Sequence, residues 1–258
     1  MSLPIYQLDA FTNQIFGGNP AAVVPLDSWL PDATMQTIAA ENNLAETAFY
    51  VPTDNGFHIR WFTPTVEVDL CGHATLATAY VLFHLQNYPK DRISFESRSG
   101  ELIVCKEGDW LILDFPKDTL HKQLLSPPAL LEALGETVPV EILRGKTDFM
   151  VVLENEQQVR DLQPDVIVLS TLPARGVIVT AKGDEVDFVS RFFAPQSGIA
   201  EDPVTGSAHT TLTPYWADKL GKTELSALQV SPRGGVLKTK LRDNRVEIAG
   251  QVRLYLKG

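Results

Sequence analysis

The strongest constraint on this chain is that it repeats itself. Residues 60–64 read Arg-Trp-Phe-Thr-Pro, and residues 191–195 read Arg-Phe-Phe-Ala-Pro. Downstream of the first lies Cys71-Gly72-His73-Ala74; downstream of the second lies Thr205-Gly206-Ser207-Ala208. Each copy spells a strand ending in Arg-aromatic-Phe, a proline loop, and a step through glycine into a helix. Proline precedes glycine by eight residues in one copy and eleven in the other, which is ordinary loop variation. About half the chain separates the copies, as a duplicated domain requires; chance likeness of two strand-to-helix turns is the alternative. Duplication predicts two similar α/β halves, residues 1–117 and 118–258, with a C-terminal strand free to return to the first. A pseudo-twofold relation then turns both helix starts toward one cleft, a common place for ligands.

The elements fit that plan. Short β-branched or aromatic runs recur at 21–25, 48–51, 58–62, 102–105, 111–115, 149–153, 177–180, 186–193 and 246–249, separated by turn residues. Residues 32–42, headed by Pro31 and carrying Met35, Ile38 and Ala39 on one side, read as a short surface helix. Ser126-Pro127-Pro128, then Leu130, Leu131 and Leu134 with Gly135 behind, predict a second helix capped by Ser126. Residues 74–85 are apolar on nearly every face, so that helix is expected inside, surrounded by strands. Pro214 falls within the helix that follows Gly206 and is expected to bend or shorten it.

Composition narrows the function. Of 258 residues, 44% are hydrophobic and 21% charged, which is ordinary for a globular protein. A net charge of -10 without a Lys/Arg cluster argues against nucleic acid and anionic membranes as partners. The chain has two cysteines, Cys71 and Cys105, so no disulfide framework and no zinc spacing is present. No metal and no cofactor are expected, and no Gly-rich phosphate loop appears. The N-terminus lacks a basic segment followed by an apolar one, and the apolar 74–85 stretch is too short to span a bilayer. A reducing cytoplasm is the expected compartment.

Three segments carry candidate chemistry. A glycine at a helix start lets a ligand approach the first N–H groups, which have no intrahelical partner and lie at the positive end of the dipole. Gly72-His73 and Gly206-Ser207 are therefore candidates to grip a carboxylate, at about 1.5–3 kcal/mol per charge-assisted bond. The plainer reading is two tight turns with His73 and Ser207 capping helices. Glu46, in Asn-Leu-Ala-Glu-Thr-Ala-Phe, stands between a helix end and an apolar strand, where a carboxyl group can serve as proton carrier; a surface glutamate bonded to loop amides is the alternative. Asp202, in Glu-Asp-Pro-Val-Thr-Gly-Ser, either forms a turn with Pro203 or orients His73 and bonds a substrate amine or hydroxyl. His58, His84 and His121 lack metal-ligand spacing. Trp29, Trp61, Trp110 and Trp216 are expected at core edges, with Tyr215-Trp216 a candidate border of the cleft.

Together, Gly17-Gly18-Asn19-Pro20-Ala21-Ala22-Val23-Val24, NLAETAF, DLCGHATLA and EDPVTGSAH resemble the PhzF family of phenazine biosynthesis, in order from about residue 5 to residue 216. The resemblance implies the diaminopimelate-epimerase fold: an α/β (α+β) chain of two pseudo-symmetric domains, each a curved, mostly antiparallel sheet or barrel around a central helix. It implies isomerase chemistry in which a glutamate, Glu46 by motif, removes a proton from one carbon and returns it to another on the same face. His73, Asp202 and Ser207 fall on the polar residues around the substrate, the Gly72-His73 and Gly206-Ser207 amides on its carboxylate pocket, and Asn19 near the site. Diaminopimelate epimerase itself uses a cysteine at each helix start. Here Cys71 matches one position, but Thr205 takes the other, and a threonine hydroxyl is far too weak an acid to replace a thiol.

The expected activity is thus a cofactor-independent isomerase acting on a small carboxylated substrate, with Glu46, His73 and Asp202 catalytic. An epimerase or racemase using Cys71 and Glu46 on opposite faces, and a non-catalytic small-molecule-binding or interaction module, are the alternatives. Of the assembly states, a homodimer is preferred.

Overall fold

The computed structural model describes residues 2–123 and 125–258. Its contacts divide the chain into two compact units: one runs to Phe115 and takes in Glu247–Gly258, and the other is Pro116–Val246.

The first unit contains β1 (Tyr6–Ala10), β2 (Asn19–Pro25), α1 (Asp32–Asn42), β3 (Glu46–Thr53), β4 (Gly56–Phe62), β5 (Glu67–Val68), α2 (Gly72–Tyr80), β6 (Arg92–Ser97), β7 (Gly100–Glu107) and β8 (Trp110–Pro116). The second contains β9 (His121–Lys122), α3 (Pro128–Leu134), β10 (Glu141–Arg144), β11 (Asp148–Val152), α4 (Glu156–Asp161), α5 (Val166–Leu169), β12 (Gly176–Lys182), β13 (Phe188–Ala194), β14 (Ile199–Asp202), α6 (Gly206–Leu220), β15 (Glu224–Gln229) and β16 (Gly235–Arg242). β17 (Arg245–Gly250) carries the chain back, and β18 (Val252–Lys257) pairs antiparallel with β1.

Strand pairing shows the duplication beyond the short motif. β2 lies parallel to β3, β3 antiparallel to β4, β4 parallel to β6, and β6 antiparallel to β7. In the second unit β11 is parallel to β12, β12 antiparallel to β13, β13 parallel to β15, and β15 antiparallel to β16. Each echo arginine anchors the matching corner. Arg60 grips Glu67 with two bonds of 2.7 Å, and Arg191 grips Glu201 at 2.7 and 2.9 Å. In both copies that glutamate lies five residues before the helix glycine, so the three extra residues of the second copy fall between proline and glutamate.

Helix α2 is buried from His73 to Ala79, as its all-round apolarity requires. It does not run to Leu85 as regular α-helix: Val81–Leu85 is a π-helical turn, closed by the Gln86 N–H on the Val81 carbonyl. α1 buries Met35 and Ala39 against Val24, Phe49 and Phe62, the side read from sequence. α3 is capped differently from expectation. Its N-cap is Pro127, with no side-chain cap bond, and Ser126 lies outside the helix.

In the second unit β13 alternates. Val189 and Phe193 join the cluster under α3 and α5, while Phe188 faces α6, its ring centroid 5.8 Å from His209 and 5.9 Å from Trp216. Trp216 is 6% exposed and donates its indole N–H to Thr180, so it is core rather than a border residue. Helix α6 runs through Pro214 without ending. The proline removes the bond its N–H would make to the Thr210 carbonyl, but the Asp118 N–H occupies that carbonyl at 3.2 Å. Among the described residues no helix is long and apolar enough to cross a membrane.

Candidate active site

In the first unit the chain leaves α1 through Asn43, which adopts the left-handed conformation (φ 48°) that asparagine tolerates, and enters β3 at Glu46. Glu46 pairs with Ala21 of β2, so the first residues of the two parallel strands, Asn19 and Glu46, share one end of the sheet. Asn19 is fully buried. Gly18 before it has φ +60°, and a Cβ there would lie 2.1 Å from the Ala10 carbonyl oxygen, so the Gly-Asn step admits no side chain.

Helix α2 starts at Gly72, with Cys71 as N-cap and no side-chain cap bond. The next residue, His73, sets its ring between two groups. Its Nδ1 is 3.5 Å from the Cys71 sulfur, and its Nε2 is 3.2 Å from Glu46 Oε2. That second approach is at ion-pair distance but is not aligned as a hydrogen bond, and both atoms are closed off from solvent. Burial opposes charge on His73; the groups at its two nitrogens, the Cys71 sulfur and the Glu46 carboxylate, outweigh it and hold the imidazole well above its ordinary 6.5, and with the thiol protonated the negative charge beside the ring is that of Glu46. Burial, reinforced by the Glu46 charge, pushes the Cys71 thiol up to about 11, so it stays protonated at neutral pH.

Glu46, Cys71 and His73 place their ligand atoms within 4.8 Å of one another. The shortest approaches to the ring are to opposite nitrogens, sulfur to Nδ1 and carboxylate to Nε2.

In the second unit α6 starts at Gly206, with Thr205 as N-cap, again without a side-chain cap bond. The Thr205 hydroxyl instead donates to the Asp202 carboxylate, and the buried Gln229 holds the turn. Gln229 accepts the Thr205 N–H at 2.8 Å and donates to the Asp202 carbonyl at 2.8 Å. Asp202 therefore folds its side chain onto the residue three positions on, at the helix start. One turn into α6, His209 places Nδ1 2.9 Å from the Thr205 carbonyl. Thr75 bonds the Cys71 carbonyl in the same way in α2, at 2.6 Å. Burial drives the His209 pKa down to about 4, so it is neutral and donates from Nδ1.

Two residues that sequence reasoning missed shape this second site: Gln229 and Arg175. The Arg175 guanidinium makes a two-point contact with the buried Asp148 and donates from Nη1 to the Ser207 hydroxyl at 3.0 Å. Strand register makes Arg175 a near-counterpart of Glu46. Ala48 faces Trp61 as Ile178 faces Phe192, so Glu46 corresponds to Gly176, the residue after Arg175. A Cβ on Gly176 would lie 2.5 Å from the Phe192 ring and 2.7 Å from the Phe193 carbonyl oxygen, so no second acid fits there. Within the first unit the structure thus brings Glu46 and His73 together with Cys71; within the second it gathers Asp202, Gly206 and Ser207 with Thr205, Gln229 and Arg175.

The family model described as phenazine biosynthesis-like protein matches residues 8–258. A Pseudomonas aeruginosa protein named as an uncharacterized isomerase is 53% identical over 258 residues, covering 100% of this chain and 98% of that protein. The crystal structure of a PhzF family phenazine biosynthesis protein from Enterococcus faecalis superposes with a TM-score of 0.96 at 50% identity, over 100% of this chain and 98% of that one. A probable proline racemase from Agrobacterium radiobacter, 9% identical at a TM-score of 0.69 over 100% of this chain and 92% of that one, shares the fold alone. With the match running almost end to end, this chain belongs to the phenazine biosynthesis-like PhzF family.

Proposed function

We propose that the protein is a cofactor-independent isomerase that moves a proton between carbons of a small carboxylated substrate, with Glu46 as the acid/base. The observation that carries this is the Glu46–His73 pair. A carboxylate oxygen without an aligned hydrogen bond is held 3.2 Å from an imidazole kept on its charged side. With that oxygen turned to the imidazole, the rest of the carboxylate, on a side chain that is 12% exposed, is left to take a carbon-bound proton, while the neighbouring cation stabilises negative charge developing on the substrate. Glu46 takes the proton from one carbon and returns it to another on the same face. The uncapped amides of Gly72 and His73, and those of Gly206 and Ser207, each offer a carboxylate site at a helix start, and Asn19 adds a polar group beside the base. Asp202 is the second catalytic carboxylate, taking a substrate amine or hydroxyl. The isomerase name of the Pseudomonas relative supports the reaction class.

The test is proton exchange from deuterated water into a panel of cyclic and amino carboxylic acids. Glu46→Gln keeps size and hydrogen bonding but removes the base, and exchange is expected to fall about 10²- to 10⁴-fold. Exchange that survives the substitution overturns the assignment; a panel in which nothing exchanges favours a binding module.

A second reading has one observation in its favour. The Cys71 sulfur lies 3.5 Å from His73 Nδ1, which makes an epimerase using Cys71 and Glu46 on opposite faces chemically connected. Its thiol, pushed up to about 11, opposes that reading. Inverted product stereochemistry together with inactivation by Cys71→Ser selects it.

A further inference from the structure

The second unit's site is built with charge opposite to the first. Where Glu46 leans on His73, the residue beside Glu46's counterpart, Arg175, leans on Ser207, the counterpart of His73. The geometry points to Arg175 as a positioning residue that, by taking one lone pair of the Ser207 hydroxyl, turns that hydroxyl's proton toward an anionic oxygen of the ligand, a role that rests on the carboxylate site proposed above.

The argument is one of lone pairs and fixed geometry. Arg175 has no acceptor, so its 3.0 Å contact with Ser207 runs one way: Nη1–H donates and Oγ accepts. A hydroxyl that accepts on one side sends its own proton elsewhere. The arginine side chain is 38% exposed, yet its guanidinium is held on the side away from Ser207. Its other edge is pinned by the two carboxylate oxygens of Asp148, which is 2% exposed, and the Phe192 ring lies 5.2 Å beneath it. Ser207 stands in the first turn of a helix of fifteen residues whose N-cap side chain is turned to Asp202 instead of the helix amides.

Charge separates this role from direct anion binding by Arg175. Asp148 neutralises the guanidinium at contact distance, and Asp202 and Asp118 also lie within its field. Net positive potential is therefore not what the arginine supplies; it supplies orientation. The consequence for ligand chemistry is a preference for an oxygen that only accepts, a carboxylate or an enolate, over an amide or alcohol of the same shape.

A double-mutant cycle tests this, with 4-fluorobenzoate as probe followed by its fluorine resonance and 4-fluorobenzamide as the neutral control. Arg175→Gln is combined with Asp148→Asn, so that no buried carboxylate is left unpaired and the amides can still bond one another; amide spectra check the fold. Arg175→Lys serves as the second variant, since it keeps charge against Asp148 but loses the fork. Ser207→Ala and the Arg175/Asp148 change are each expected to weaken carboxylate binding about tenfold, and the benzamide hardly at all. In the Ser207→Ala background the Arg175/Asp148 change is expected to do nothing more, and Ser207→Thr restores the dependence. Losses that multiply in the combined variant, or Arg175→Lys binding like the parent, overturn the positioning role. A parent protein that binds the probe no better than Ser207→Ala also overturns the positioning role; one that does not bind the probe at all overturns the carboxylate site itself, a separate failure.

Discussion

The two helix starts, Cys71-Gly72-His73 and Thr205-Gly206-Ser207, share a backbone plan and differ in every group that carries charge. Both follow an Arg–Glu fork, both begin at glycine, and in both a side chain four residues past the N-cap bonds the N-cap carbonyl. At the first, a carboxylate faces an imidazolium; at the second, a neutralised guanidinium faces a hydroxyl. The place that holds Glu46 in one copy is closed to any side chain in the other. The frame repeats while the charged groups do not. Under the proposed chemistry a single base suits a transfer on one face of the substrate, whereas two-face inversion needs matched groups on both sides.

Substitutions that cross the two copies break or sharpen this comparison. The largest expected effect on stability is Arg191→Ala, at about 3–5 kcal/mol, because Arg191 is 5% exposed and also donates to the carbonyls of Val159, Arg160 and Leu162. Its twin Arg60→Ala should cost only about 1–2 kcal/mol, since Glu67 keeps Arg98 as partner. Urea unfolding of both variants compares them, and equal losses would mean that the forks are interchangeable.

Next comes a pH effect confined to the second copy. His209 falls from an ordinary 6.5 to about 4 on folding, so between those values the unfolded chain binds more protons. Stability present above pH 6.5 is lost as pH drops toward 4, by about 2–3 kcal/mol at pH 4.5. His209→Asn, which keeps a donor for the Thr205 carbonyl, should flatten the slope. Thr75 contributes no such slope; an unchanged profile in His209→Asn would place the titration elsewhere.

Gly176→Ala should cost about 1–3 kcal/mol through the clash with Phe192 and the Phe193 carbonyl. A stable Gly176→Ala protein would show that the second copy can hold a side chain there. The smallest effect is expected from Cys71→Thr, which writes the second copy's residue into the first: proton exchange should change less than about fivefold, because a thiol protonated at neutral pH contributes little as a base. A much larger loss favours the epimerase reading.

Much of this was readable before any coordinates. The echo marked two strand-to-helix turns, and α2 and α6 begin at the two glycines it named. Pairing of Glu46 with His73 was not deducible, since neither residue has local periodicity that aims it; only the family resemblance joined them. Arg175 escaped because its partners, Asp148 and Ser207, lie 27 and 32 residues away and no motif links them. Counting back from the echo arginines lands one residue off, on Gly176-Val177 where the first copy has Ala45-Glu46, because the second hairpin is one residue longer; only the strand register brings Arg175 to the place of Ala45. The expectation that Pro214 shortens the helix failed because helix rules count bonds within the helix, and a segment distant in sequence supplied the missing one.

That replacement bond ties two lengths of chain that share no side-chain motif. The main chain at Asp118 is fastened to the middle of α6, and the Asp118 carboxylate also takes the Thr211 hydroxyl one position further along. A residue type usually thought to weaken a helix has here become an attachment point, and the segment that opens the second unit cannot loosen without exposing the midsection of the helix whose first turn carries Ser207.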